Sequence, residues 1–416
     1  MLRILRSADR AEINALFARR SARLDEAEAV VRPILEAVRD RGDAALLEYA
    51  RKFDGLEGDS VRIPAEKLAA AAAGADDKLR SAVATASDQI RRFAQMQAPR
   101  AWTEEVGAGI RLGQIVRPLD AVGAYIPGGR YPLPSTLMMT VIPAQVAGVK
   151  TVSVCCPGPT AETLATAGML GVENFFRMGG AQAIAAFCFG TEAVPKAQRI
   201  VGPGNVYVAA AKKLLAGDVG IDFVAGPTEI LLIFPDGDPK KLAADMLAQA
   251  EHDVDAAAIL LTLSQDLAER TAAEVERQLA DLPTAAVARR AIDDNSAIVV
   301  CDSVDEACAI SNDFAPEHLS IADESMLDSI THAGSVFIGP WSPEAAGDYA
   351  SGPNHVLPTS GAARLRGGLS ILDYVKIITV QQLDRAGLER IAPAVTTLAR
   401  AEGLEAHARS VEARFD

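Results

Sequence analysis

Histidine is scarce in this chain: there are five in 416 residues, and none precedes His252. Basic charge is in deficit too, with 41 Lys and Arg against 55 Asp and Glu and a net charge of -14. That balance argues against nucleic acid or an anionic membrane as partner, since both need a basic surface, although a local basic patch can still hold an anionic cofactor. The five cysteines (Cys155, Cys156, Cys188, Cys301, Cys308) are odd in number and form no CxxC pair. A disulfide framework and a thiolate zinc cluster are therefore not expected, and these residues read as small buried apolar side chains rather than a catalytic thiol. No run approaches the ~18 to 20 apolar residues that a membrane helix needs. The opening stretch MLRILRSADRAEINALFARR carries acids and arginines throughout and has no apolar core of signal-peptide length, so a cytoplasmic protein is expected. No low-complexity tract occurs either. With 49% hydrophobic and 23% charged residues, the chain has the composition of a folded protein, long enough for two ordinary domains with small additions.

Residues 1–120 read as helix after helix. Val31, Ile34, Leu35 and Val38 form one apolar stripe in a helix over Glu26–Asp40. Gly42 can end it in a left-handed turn, and Asp43 can cap a following helix that buries Leu46, Ala50 and Phe53. From Val122 the rhythm changes to short β-rich runs alternating with helical ones: AVGAYI, TVSVCC, NFFRMGG, RIVGPGN, EILLIFP, AAAILLTL, AIVVC and SVFIG. Such alternation predicts parallel sheets covered by helices on both faces. The shared strand–turn–helix plan of TVSVCCPGPTAETLATAGML and EILLIFPDGDPKKLAADML points to two related α/β domains. After about Arg366 the chain reads as helical again.

Three glycine turns follow strand-like runs: Tyr125-Ile-Pro-Gly-Gly129, Gly179-Gly-Ala-Gln182 and Gly202-Pro-Gly-Asn205. Strand ends that hand over to helices collect backbone N–H groups and bind ligands, and Gln182 and Asn205 can hydrogen-bond ribose or amide groups. None of the three is GxGxxG, and none has the usual acidic ribose-binding residue, so plain turn chemistry is an equal reading.

Candidate proton-transfer and metal-binding groups cluster later. Gln249 and His252 share one helix face near the end of the helix that opens with Asp238-Pro239. Glutamine is not a common zinc ligand, so the residues alone nominate His252 and leave Gln249 open. Glu317-His318 follows a loop-like stretch and supplies two groups able to exchange protons or activate water. Asp348 and His355 lie in the long Gly- and Pro-rich segment Gly334–Thr359, a type of loop that is often functional. His407 sits on the last helix with Glu402 five residues before it.

Taken together, YIPGG…PSTLMM…IPAQVAGV, GGAQAIAA with GPGN, AGPTE, QAEHD, PEHL and GDYASGPNHVLPT resemble the histidinol dehydrogenase family, from about residue 25 to 412. The resemblance implies a zinc- and NAD-dependent enzyme that oxidises L-histidinol to L-histidine through L-histidinal, using two NAD. It further implies that Gln249, His252, Asp348 and His407 are zinc ligands, and that His318 is the general base with Glu317 as its water-activating neighbour. Tyr125, Gln182 and Asn205 would contact NAD. Thr228, Glu402 and His355 would stand on the substrate side together with Gln249, His252, His318, Asp348 and His407. His407 would come from a partner subunit, making an intertwined homodimer with composite sites. The expected fold is α/β, with two Rossmann-like parallel-sheet domains lacking GxGxxG, a helical N-terminal region and a small C-terminal helical extension. The expected division is an N-terminal helical arm (1–20), a first α/β domain with the metal and catalytic residues (21–124 with 228–366), a second, NAD-side α/β domain (125–227), and a helical dimerisation tail (367–416).

Three positions depart from the family pattern: Thr228 where serine is more usual, Val254 where proline is common, and Ile377 where an arginine often follows the lysine. None removes a ligand or the base, but they keep open a paralogue acting on another small polar alcohol. A metal-dependent hydrolase is a further reading, since zinc and Glu317 can activate water without a nucleotide; it gives Tyr125, Gln182 and Asn205 no role. A non-catalytic binding protein would have no use for both Glu317 and His318.

Overall fold

A computed structural model describes residues 2–18, 24–128 and 131–416. Gly129 of the first glycine turn and the expected division at residue 20 lie outside the described residues. The chain is an α/β protein built on two six-stranded sheets. In the first sheet, Arg3–Arg6, Ala297–Val300, Ala257–Thr262, Glu229–Ile233, His318–Ile321 and Ser335–Ile338 lie side by side in that order, all parallel. In the second, the order is Arg62–Ile63, Asn174–Phe176, Thr151–Cys155, Ala121–Tyr125, Arg199–Val201 and Gly220–Ile221, with only the edge strand Arg62–Ile63 antiparallel.

Both sheets are wound alike. Apart from an edge strand taken from earlier in the chain, each begins at its fourth position, moves outward through two strands, and returns to add two on the other side. This is the doubly wound plan with a switch point beside the starting strand. Burial on both faces explains why the strands read as unbroken apolar runs: every residue of Glu229–Ile233, Ala257–Thr262 and Ala297–Val300 is buried. Side-chain alternation divides each sheet between two cores. Ile230 and Leu232 face one layer while Leu231 and Ile233 face the other; in the second sheet, Ala124 and Val154 oppose Tyr125 and Cys155.

The first 124 residues depart from expectation. Arg3–Arg6 is a strand completing the edge of the first sheet, not part of a helical arm. Leu24–Arg41 buries Val31, Ile34, Leu35 and Val38 as its periodicity predicts, but against the second sheet rather than the first. Helix Asp77–Gln97 likewise packs into the second sheet's other core through Val83, Ala86 and Ile90, so the segment assigned to the first domain wraps the second one instead. Gly42 does end the helix with a positive φ of 54, but its ψ of -128 lies outside the left-handed helical region. Asp43 does not cap its helix; its carboxylate accepts from Ala193 N–H at 3.1 Å. Leu46 and Ala50 are buried, whereas Phe53 is 54% exposed. After Arg366 the chain is not wholly helical: Val375–Leu383 pairs antiparallel with Ile110–Pro118, which pairs with Trp102–Gly107, in a third sheet. Helices Arg385–Ala401 and Glu405–Glu412 follow. Among the described residues no helix is long and apolar enough to cross a membrane.

Candidate active site

A cleft of about 220 Å³ opens where the two sheets meet. The second sheet offers its carboxyl edge, with Pro127 after strand Ala121–Tyr125 and Pro203-Gly204 after strand Arg199–Val201. This is its switch point, the usual ligand crevice of an open α/β sheet. The first sheet offers its amino edge: Thr228 precedes Glu229–Ile233, and Glu317 precedes the strand that His318 opens. Helix Pro239–Ala250 runs back from the carboxyl edge and delivers Gln249 and, just beyond its end, His252 to the same place. The short helix Glu344–Tyr349 delivers Asp348. A larger cavity, about 550 Å³, lies at the carboxyl edge of the first sheet and is lined by Phe234, Asp245 and Trp341. It contains none of the candidate residues.

His318 is 3% exposed. Its Nδ1 lies 3.2 Å from the Glu229 carbonyl oxygen, which can only accept, so the proton sits on Nδ1. Nε2 is then a bare acceptor, buried and without a hydrogen-bond partner; the nearest carboxylate oxygen, Asp348 Oδ1, is 3.8 Å away. Burial pushes the imidazole down to about 4, so it is neutral near pH 7 and able to take a proton. Glu317 Oε2 accepts from Thr228 Oγ1 at 2.6 Å and from Glu229 N–H at 2.9 Å. Burial nevertheless holds its carboxyl well above the usual range.

Glu344, not anticipated from the sequence, completes the group. It is 3% exposed, and its Oε1 lies 3.3 Å from His318 Nδ1. Burial raises its carboxyl as well, followed in effect by the charges of Asp348 and Glu317. Gln249 bridges Thr228 and Glu344, and two arrangements satisfy it. Its amide nitrogen donates to Thr228 Oγ1 at 2.7 Å while its oxygen faces a protonated Glu344. Alternatively the nitrogen donates to Glu344 Oε1 at 2.8 Å and the oxygen accepts from Thr228. Thr228 has one proton to give, so the second arrangement places the carboxyl proton on Glu317.

His252 Nε2 lies 3.7 Å from Asp348 Oδ2. Ligand atoms of His252, Glu344 and Asp348 all fall within 4.8 Å of one another. One imidazole, carboxylate oxygens and an adjacent amide form a nitrogen–oxygen donor set that fits Zn²⁺. His355 lines the cleft, but both its ring nitrogens are engaged: Nδ1 with the Asp348 carbonyl at 2.7 Å and Nε2 with Thr136 Oγ1 at 3.0 Å. It ties the second domain's helix Pro134–Ala147 to the backbone of Asp348.

Tyr125, Gln182 and Asn205 stand along the carboxyl edge of the second sheet, where their polar atoms meet this chain's own groups. Tyr125 OH accepts from Gly180 N–H at 3.2 Å. Asp54 accepts from Gly179 N–H at 2.9 Å and from Gln182 Nε2 at 3.0 Å, putting a carboxylate where a helix N-terminus would otherwise receive a phosphate. Asn205 Oδ1 caps its helix, accepting from Tyr207 and Val208 N–H at 3.1 Å each. The Gly202 loop is pinned by the buried pair Lys212 and Asp222, whose Oδ2 accepts from Gly202 N–H at 2.7 Å. Gly202 has φ +108, and a Cβ there would fall 2.2 Å from the Tyr125 carbonyl oxygen.

Glu402, just past helix Arg385–Ala401, and His407, on the last helix, are exposed, and within a single chain the structure does not bring them to the cleft. All five cysteines are free and buried, as their setting predicts. Glu344 escaped the sequence reading because it sits in a Gly- and Pro-rich stretch taken for loop. The signal available was its spacing of four from Asp348, which puts two acids on one face of a helix.

A sequence profile of the family described as Histidinol dehydrogenase matches residues 17–415. Histidinol dehydrogenase of Thermus thermophilus is 48% identical over 410 residues, covering 97% of this chain and 98% of the relative. That of Syntrophotalea carbinolica is 45% identical over 428 residues, covering 100% and 99%. The crystal structure of histidinol dehydrogenase from Elizabethkingia anophelis matches the fold with a TM-score of 0.95 at 38% identity, covering 100% of this chain and 98% of that one.

Proposed function

Because the chain belongs to the histidinol dehydrogenase family, we propose that it oxidises L-histidinol to L-histidine through L-histidinal and reduces two NAD. The observation that carries this reading is His318 Nε2, a neutral, buried base without a partner beside the cleft between the sheets. NAD is assigned to the second sheet's carboxyl edge, with Tyr125, Gln182 and Asn205 as its side of the cleft. Gln249, His252 and Asp348, together with His407 of a second copy, would hold Zn²⁺. When bound, this ion supplies a redox-inert anchor for the substrate's amino and imidazole nitrogens.

In the first oxidation, His318 Nε2 takes the alcohol proton as hydride leaves the carbinol carbon for the nicotinamide. In the second, water adds to the aldehyde while Glu317 draws off one of its protons and His318 returns the proton it took to the former aldehyde oxygen, leaving the hydrate and a neutral imidazole. His318 then takes a hydrate proton as a second hydride leaves. Glu317 can act this way in the arrangement where Glu344 carries the buried proton. Thr228, Glu402 and His355 are assigned to the substrate side, His355 through its hold on the Asp348 backbone. The methyl group that Thr228 adds where serine is more usual keeps a related polar alcohol as the alternative substrate.

The test is NADH formation with L-histidinol and with a panel of amino and hydroxy alcohols, with and without chelator. The expected result is two NADH per histidinol, lost on chelation. Turnover with another alcohol but not histidinol would favour the paralogue, and no NADH from any alcohol would sink both dehydrogenase readings.

A further inference from the structure

Resting on that reading, we propose that Glu344 is a positioning residue that fixes both the tautomer of the base His318 and the orientation of the Gln249 amide. Two independent contacts carry this. At the imidazole, a neutral ring has two tautomers, and only the one protonated at Nδ1 leaves Nε2 free to accept a proton. The Glu229 carbonyl favours that tautomer from 3.2 Å. Glu344 Oε1, 3.3 Å from the same nitrogen, places a second acceptor oxygen there, whose lone pair remains whether Glu344 or Glu317 carries the buried proton. At the amide, the two ends of Gln249 are alike in size, so only its neighbours decide which way it faces. Those neighbours are Thr228 Oγ1 at one end and, at the other, Glu344 with His318 Nδ1 at 3.3 Å.

Glu344 is well placed for such a role. It lies on the same short helix as Asp348, one turn earlier, so that helix presents a carboxylate to each side of the ring. Gly347, between them, packs against Phe337, where an added Cβ would fall 2.5 Å from the ring. Phe337 in turn sits with its ring centroid 6.1 Å from that of His318. Backbone and base are thereby seated together, and Glu344 is the polar link between them.

The experiment uses full-length Glu344→Gln, Glu344→Asp, His318→Asn and the Glu344→Gln/His318→Asn double variant. The first readout is the ¹⁵N spectrum of histidine-labelled protein, with His318 assigned by its loss in His318→Asn. The wild type is expected to hold His318 as the Nδ1–H tautomer, Glu344→Gln to populate both tautomers, and Glu344→Asp to recover the first in part. The second readout is kinetic. Glu344→Gln is expected to lower kcat by about tenfold or more, the scale of lost orienting hydrogen bonds, with KM for NAD unchanged. It should add less than about twofold to the loss already caused by His318→Asn, as residues acting as one unit do. An unchanged His318 spectrum in Glu344→Gln would overturn the proposal, as would a full additional loss in the double variant. Zinc loss with an unchanged tautomer would make Glu344 a metal ligand instead. Absence of NADH from wild type and histidinol would sink the reading of function, while the spectral comparison would still decide the role of Glu344.

Discussion

At the scale of single residues, burial sets the protonation states of the site. His318 is available as a base near pH 7 because desolvation disfavours its charged form. His318→Asn is therefore expected to retain zinc and NAD binding, measured by metal analysis and calorimetry, while kcat falls by about 10²–10⁴. Near-normal turnover would remove His318 from the mechanism. Outside the site, Asp245 in the larger cavity is pushed up to about 6 by burial, which outweighs the charge of nearby Lys241. Its folded pKa lies above the unfolded value, so its stabilising contribution is complete below the unfolded pKa and is lost as pH rises through about 6. Asp245→Asn, which cannot ionise, should thus gain on the wild type by about 1–3 kcal/mol between acid and alkaline conditions. Urea midpoints of both proteins near pH 4 and near pH 8 measure that gain, and a difference that stays constant or shrinks would contradict it. Residue types were legible in the sequence here, but partners were not. Glu317 and His318 are evident in PEHL, whereas the spacing of Glu344 from Asp348 shows a shared helix face but not that the fold lays Glu344 beside Nδ1.

At the scale of elements, the short helix Glu344–Tyr349 carries two of the site's acids, Glu344 and Asp348. Gly347 lets it lie against Phe337, since a Cβ there would come within 2.5 Å of the ring. Gly347→Ala is expected to destabilise the fold by about 1–3 kcal/mol through overpacking, and to lower zinc affinity and kcat together because Glu344 and Asp348 both move. Thermal unfolding, zinc titration and turnover of the same preparation check this; a loss of stability with the site intact would place the strain elsewhere. The same contrast explains which elements sequence reasoning finds. Strands buried on both faces, such as Glu229–Ile233, announce themselves as apolar runs. Trp102–Gly107 is exposed at five of its six residues and reads as WTEEVG, giving neither alternation nor an apolar run. Arg3–Arg6 has four residues with arginine at both ends, and its strand state comes from pairing with Ala297–Val300 far along the chain. Such elements are specified by tertiary contact rather than by local pattern.

At the scale of the whole molecule, the two sheets meet with opposite edges, so catalytic residues drawn from strand starts face a crevice at strand ends. Nothing in the linear pattern announces this, because either edge of a parallel sheet has the same sequence signature. The C-terminal region extends the same lesson beyond one chain. Ile377 and Ile378 are 48% and 44% exposed on strand Val375–Leu383, and Leu398 and Leu404 are 62% and 43% exposed on and beside the last helices. Exposed apolar side chains in the segment that also carries Glu402 and His407 are what a second copy would cover, which fits the assignment of His407 to a second copy's site that the family resemblance implies. If so, a His318→Asn chain and a His407→Asn chain are each inactive alone, but their heterodimer contains one cleft with both histidines intact. Co-expression with two different affinity tags and sequential purification isolates that heterodimer. About half of the wild-type activity per dimer is expected if one of two composite sites is restored and the sites act independently. Heterodimers that remain inactive would place the whole site within a single chain and leave His407 without a role in it.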